Sequence, residues 1–356
     1  MMSHLLVETH TRPFKYGDRI TKEIDSKRQQ IESDWDPLGE NQISTFKLEG
    51  LVAATFTPFD DDGNIDFKKF EDYCEHLVRN DVNQIYVNGT TGEGMSLTLE
   101  ERKQVVEKWI EVGKNRLKKI VVQVGALNLP DSLEMVHHAV GAGADAIATV
   151  PSLFFRPTSI NSLLEYCKKI AAAAPELPFY YYHLPSVTGV ELNMEDFMRA
   201  AVHEIPSLVG IKFSSKDLVD MIGILNIPAP HRADGKLNVM FGCDEQLMAA
   251  MTLGADGSVG STCNFMAAVY HRMFCFTSNF NLVEARKEQY RSQQVCRIMY
   301  RYGSLWGNNV AALKYLMAMA GPNLGPPRPP MRKATPAEFN QFKSEISDLG
   351  FFDWLK

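Results

Sequence analysis

No stretch of the 356 residues approaches the roughly 20 apolar side chains that a bilayer-crossing helix needs. Met1 to Val7 is too short an apolar run for a secretory leader and has no basic lead-in. Positive charge is not in excess. The 37 Lys and Arg stand against 43 Asp and Glu, a net charge of -6, which argues against a nucleic-acid footprint. Cysteine is sparse: Cys74, Cys167, Cys243, Cys263, Cys275 and Cys296 are scattered, with no Cys-x-x-Cys pair. Such spacing reads as reduced thiols in a cytoplasmic protein, not as a disulfide frame or zinc site. The histidines show no His-x-x-x-His grouping, and the adjacent His137 and His138 face different directions on a helix, so no metal site is expected. What is present is ordinary for a globular chain: 45% hydrophobic and 22% charged residues, enough to bury a sizeable core.

Residues 1–46 differ from the rest. From Glu8 to Glu40 charged and amide side chains dominate, leaving little to build a core, so a flexible or loosely docked N-terminal extension is expected. From Leu51 onward short apolar or aromatic runs recur at residues 51–56, 84–87, 120–124, 146–150, 179–182, 208–213, 237–241 and 257–260. Each has the length of a buried strand with Gly or Pro close by. Amphipathic stretches of helical length lie between them. In the clearest, Val105, Val106, Trp109, Ile110 and Val112 share one side, behind a Thr98/Glu101 capping box. Strand and helix alternating through short connections means parallel strands with helical crossovers. Eight such units in roughly 230 residues match an α/β fold of the (β/α)8 TIM-barrel type. A doubly wound sheet is the alternative, but Thr55-Phe-Thr-Pro-Phe59 after the first strand lacks the G-x-G-x-x-G fingerprint. The expected organisation is a barrel over 47–280 and a C-terminal helical region over 281–356, appended to it and not an independent domain.

In such a barrel, chemistry gathers at the C-terminal strand ends. Lys212 ends an otherwise apolar strand, where desolvation would leave a neutral, nucleophilic amine; a snorkelling lysine is the plain alternative. Tyr182 shares a strand face with Tyr180, opposite Tyr181, and is either a general acid–base or simple core filling. Asn88-Gly-Thr-Thr-Gly-Glu93 follows the second strand and pairs hydroxyls with exposed backbone N–H groups, which suits a small carboxylate, although an ordinary turn also fits. A phosphate fits less well, because the Walker lysine is missing. Asp244 and Glu245, after the seventh strand, are candidate acceptors for substrate hydroxyls. Asp244 is equally a helix N-cap.

In this order, Gly89-Thr-Thr-Gly-Glu93, Tyr182-His-Leu-Pro-Ser-Val-Thr-Gly189, Gly210-Ile-Lys-Phe-Ser214, Gly242-Cys-Asp-Glu245 and Gly257-Ser-Val-Gly-Ser-Thr262 resemble the Schiff-base aldolases of the N-acetylneuraminate lyase and dihydrodipicolinate synthase family. The resemblance runs from about Leu48 to the C-terminal helices. It is strongest to the animal-type N-acetylneuraminate lyases, through the 179–183 aromatic run and Gly325-Pro-Pro-Arg328. It implies Lys212 as the Schiff-base lysine and Tyr182 as the proton donor. Thr90 and Thr91 would hold the keto-acid carboxylate, and Ser214, Gly242, Asp244, Glu245 and Ser261 would contact the sugar portion.

The resemblance further implies cleavage of N-acetylneuraminate to pyruvate and N-acetylmannosamine, no metal or organic cofactor, and assembly as a homodimer or homotetramer. Small molecules, not nucleic acid or membrane, would be the partners. The chain departs from the family at residues 153–156, Leu-Phe-Phe-Arg, where many members carry a tyrosine that reaches a neighbouring subunit. Dihydrodipicolinate synthase chemistry is the alternative. It uses an arginine two residues past the proline of the strand-five motif, where this chain has Val187. A catalytically silent keto-acid binder is a further alternative, since a fold does not guarantee activity.

Overall fold

The structure, a computed structural model, describes residues 42–356. The extension expected over 1–46 falls mostly outside the described residues. Eight strands, β1 (Gly50–Ala54), β2 (Gln84–Val87), β3 (Lys119–Gln123), β4 (Ala146–Thr149), β5 (Phe179–His183), β6 (Leu208–Phe213), β7 (Asn238–Phe241) and β8 (Gly257–Gly260), close into one barrel in chain order. Every neighbouring pair is parallel, β1 with β8 included. This is the TIM-barrel fold expected from the alternating pattern, with helices between the strands.

Strand alternation separates two layers of core. Val52, Ala54, Tyr86, Val121, Ala146, Ala148, Tyr180, Tyr182, Met240 and Val259 pack inside the barrel. Ile85, Val122, Ile147, Tyr181, Ile211 and Val239 point outward to the helices. The expected division of Tyr180 and Tyr182 from Tyr181 holds.

The first helix among the described residues, α1 (Gln42–Thr45), leads into a plug beneath the barrel: Ile43, Phe46 and Leu48 are buried in the inner core. Arg232 donates to the carbonyls of Ile43 and Phe46, and Leu48 exchanges two 3.0 Å hydrogen bonds with the Asn238 side chain. Residues 42–46 therefore do not belong to a loosely docked extension. A buried side chain of their size contributes roughly 1.5–3 kcal/mol, and these close the open bottom of the barrel.

The crossover helices are α2 (Lys69–Arg79), α3 (Leu99–Gly113), α4 (Leu129–Ala142), α5 (Ile160–Ala172), the short α6 (Pro185–Thr188), α7 (Met194–Glu204), α8 (Leu218–Leu225), α9 (Leu247–Leu253) and α10 (Cys263–Ser278). Their starts follow the sequence. Thr98 and Glu101 form the capping box, while Asn128 and Asn193 accept from backbone N–H groups three residues on. The chain continues through α11 (Leu282–Trp306), α12 (Asn309–Ala320), α13 (Pro336–Asp348) and α14 (Phe351–Trp354). Buried Trp306, Phe342 and Phe351 join these helices to the outer core.

One irregularity matters for the site. Phe179 pairs with Leu208, but the next residue, Tyr180, pairs with Gly210, so β6 carries one extra residue. Such a bulge reverses the alternation beyond it. Val209 packs inside and Ile211 outside, and Lys212 then sits opposite Tyr182. Glycine is required at the bulge, because a Cβ on Gly210 would lie 2.0 Å from the Asn238 carbonyl oxygen.

Candidate active site

The bulge turns Lys212 into the barrel mouth. Its side chain is buried, with Nζ 4.1 Å from the ring centroids of both Tyr86 and Tyr182. The aromatic faces favour an ammonium, but desolvation outweighs them. Burial lowers the Lys212 pKa to about 7 against the opposing pull of Asp244. A large share of the amine is therefore neutral at physiological pH, the form that attacks a carbonyl.

Tyr182 is likewise buried, and its Oη lies 3.4 Å from Thr90 Oγ1. Burial pushes its pKa up to about 12, with the Thr90 and Ser214 hydroxyls opposing the rise. At neutral pH it keeps its proton and can give it up only within a proton-transfer step.

Thr90 and Thr91 sit on the turn after β2, flanked by left-handed backbone at Asn88 and Glu93. A hidden ion pair fixes this turn. Glu93 Oε1 lies 2.7 Å from Lys314 Nζ of α12, and both side chains are almost wholly buried. The other Glu93 oxygen accepts from Arg328 N at 2.8 Å. Lys314 also donates to the Pro326 carbonyl and lies 4.1 Å over the Phe59 ring, and burial lowers its pKa to about 8 against the pull of Glu93.

The turn after β7 carries Gly242, Asp244 and Glu245. A Cβ on Gly242 would lie 2.0 Å from Ser214 Oγ, so a side chain there would force the serine hydroxyl to turn away. Asp244 does not cap α9. Its carboxylate accepts from Thr262 N at 2.9 Å and Thr262 Oγ1 at 2.6 Å, and that hydroxyl continues to Tyr270 and Ser292. Burial raises the Asp244 pKa and the Thr262 bonds oppose the rise. Glu245 instead faces the open space, its Oε2 accepting from Tyr300 Oη at 3.2 Å.

These groups surround one cavity of about 990 Å³ at the C-terminal end of the barrel. Thr90, Thr91, Tyr182, Lys212, Ser214, Gly242, Glu245 and Ser261 all line it. Asp244 is the exception among the candidate residues: it is buried, and its Oδ2 is engaged with Thr262. Val187 lines the rim, so no cationic group stands at that position. Phe154 and Phe155 are highly exposed and supply no hydroxyl.

Other residues of the site escaped the sequence reading. Tyr86 does not line the cavity but packs under Lys212, a contact that only the closed barrel creates. Met299, Tyr300, Asn308 and Asn309 reach the cavity from α11, α12 and the link between them, far along the chain. Lys314 was visible as a lone cation in the apolar run of residues 310–317. Among the described residues no group of three or more His, Cys, Asp or Glu could hold a metal ion, and no helix is long and apolar enough to cross a membrane.

Residues 47–349 match the model of the dihydrodipicolinate synthetase family. The chain is 39% identical to the N-acetylneuraminate lyase of Rattus norvegicus over 86% of its own length and 94% of that protein. It is 37% identical to the N-acetylneuraminate lyase of Homo sapiens, again over 86% and 94%. Among solved structures it superposes on the N-acetylneuraminate lyase of Proteus mirabilis with a TM-score of 0.80 at 34% identity, covering 86% of this chain and all of that one.

Proposed function

Starting from the fact that this chain belongs to the dihydrodipicolinate synthetase family, we propose that it is a Schiff-base aldolase, a carbon–carbon lyase that cleaves N-acetylneuraminate to pyruvate and N-acetylmannosamine. The observation that carries the reading is the Lys212 amine, buried with its pKa near 7 and sharing a cavity with Tyr182 and the Thr90–Thr91 turn. Its relatives named as N-acetylneuraminate lyases, at 37–39% identity over most of both chains, support the substrate.

The steps follow from the residues. Neutral Lys212 adds to the C2 ketone of the open-chain substrate, and loss of water gives an iminium. Thr90 and Thr91 hold the C1 carboxylate and so fix the reacting geometry. The iminium withdraws electrons, so the C3–C4 bond breaks with its pair passing to C3, leaving an enamine in place of a carbanion. The C4 hydroxyl loses its proton as the aldehyde forms, and Tyr182 mediates that transfer together with the substrate carboxylate. Protonation of the enamine at C3 and hydrolysis of the imine release pyruvate. The electron sink is the iminium itself, so the chemistry asks for no metal or organic cofactor. Ser214, Gly242, Asp244, Glu245 and Ser261 contact the sugar portion; Asp244 does so while its Oδ2 is held by Thr262.

Val187 favours this substrate over an anionic second partner, since a valine offers nothing to a carboxylate. The free thiols support a reducing compartment, the cytoplasm, and the exposed Phe154 and Phe155 support assembly as a homodimer or homotetramer. Steady-state assay decides the substrate. Pyruvate release from N-acetylneuraminate, with no condensation of pyruvate and aspartate semialdehyde, is expected; the reverse pattern would assign dihydrodipicolinate synthase chemistry instead.

A further inference from the structure

The proposal concerns how the sugar end of the substrate is selected, and it rests on the sialic-acid reading above. One face of α11 is given over to the turn after β7. Gln289 Nε2 and Ser292 Oγ each donate to the Asp244 carbonyl at 3.1 Å, and Gln293 Nε2 donates to the Glu245 carbonyl at 3.0 Å. Tyr300 lies three helical turns beyond Gln289 on the same face. Where the others hold backbone, Tyr300 holds a side chain: its Oη donates to Glu245 Oε2 at 3.2 Å.

Both Tyr300 and Glu245 line the cavity, so the bond sets where a carboxylate stands in open space. An unrestrained glutamate samples several rotamers and loses entropy when it accepts a substrate hydroxyl; a tethered one has met that cost before binding. A phenol keeps its proton at neutral pH, and a carboxylate oxygen beside it can only accept, so Tyr300 is the donor here. One Glu245 oxygen is thereby occupied and the other left to accept a hydroxyl of the polyhydroxy chain.

We infer that Tyr300 is a positioning residue for substrate selectivity, aiming the Glu245 carboxylate at the hydroxyl chain distant from the reacting ketone. Its hydroxyl bonds to Glu245 and to neither Lys212 nor the threonine turn, so its effect belongs to the sugar half of the substrate. The residue reaches the site from the C-terminal helical region, which makes that region part of the specificity apparatus.

The test is a double-mutant cycle of Tyr300→Phe and Glu245→Gln, read by N-acetylneuraminate cleavage and by borohydride trapping of pyruvate. Tyr300 is 40% exposed, so phenylalanine fits without loss of packing. Loss of a bond to a charged group predicts a fall in kcat/KM for N-acetylneuraminate of roughly tenfold or more, carried mainly by KM. The pyruvate concentration for half-maximal trapping stays within about twofold of wild type. The double variant is no worse than Glu245→Gln alone, because the phenol acts only through that carboxylate. Additive losses, an unchanged kcat/KM, or a parallel loss of pyruvate trapping would each overturn the inference. A wild type that traps pyruvate but leaves N-acetylneuraminate uncleaved would instead overturn the substrate reading.

Discussion

Lys212 carries a cost as well as a function. A base whose pKa falls from 10.5 unfolded to about 7 folded binds fewer protons in the native state, so burying it destabilises the fold. The penalty is complete below pH 7 and fades as pH rises towards 10.5. Lys212→Met should therefore abolish adduct formation and activity while raising the melting temperature. The gain should be largest at or below pH 7 and shrink by pH 10, as thermal melts across that range would record. Activity should run the other way: the rate of adduct formation climbs as pH passes through about 7 and then levels, following the neutral amine. Tyr182→Phe separates the two halves of the chemistry. The pyruvate adduct should survive while turnover drops by roughly a hundredfold or more, measured as trapping against steady-state cleavage. Near-normal turnover would remove Tyr182 from the proton-transfer role.

Between elements, the critical joints are those that short-range patterns do not describe. The strand alternation of Tyr180, Tyr181 and Tyr182 was legible because a two-residue period is local. The place of Lys212 at the barrel mouth was expected from a lone cation near the end of an apolar strand, but its cause was not legible: the extra residue in β6 and the absence of a Cβ at Gly210. The motifs named the threonine turn, but nothing local revealed that Glu93 reaches Lys314, 221 residues later, to fix it. That pair offers a stability test. Removing one partner strands a buried charge, so Glu93→Gln should cost about 3–5 kcal/mol in denaturant unfolding. A change below about 1 kcal/mol would mean that water or another group already satisfies Lys314. Asp244 shows a second joint of this kind. Its sequence neighbourhood read as a helix cap or a hydroxyl acceptor; it caps no helix, and its Oδ2 accepts from Thr262 across the barrel, a bond no local pattern describes.

Residues 42–356 form a barrel closed at one end and open at the other. Ile43, Phe46 and Leu48 seal the bottom, and the active-site cavity occupies the top, partly walled by α11 and α12. The eightfold alternation made the barrel readable from sequence. The bottom seal was not, because residues 42–46 adjoin a charged stretch and the backbone and side-chain groups that hold them, Ala233 N and the Arg232 guanidinium, lie almost 190 residues away. A chain beginning at residue 47 should thus melt at a clearly lower temperature than one beginning at 42, and equal melting temperatures would deny the seal any structural weight. The site at the other end stands or falls on one covalent event. Incubating the protein with pyruvate and borohydride, followed by peptide mapping, should place a single reduced adduct on the peptide that contains Lys212, and Lys212→Met should abolish it. An adduct on another lysine, or none despite intact folding, would contradict the account.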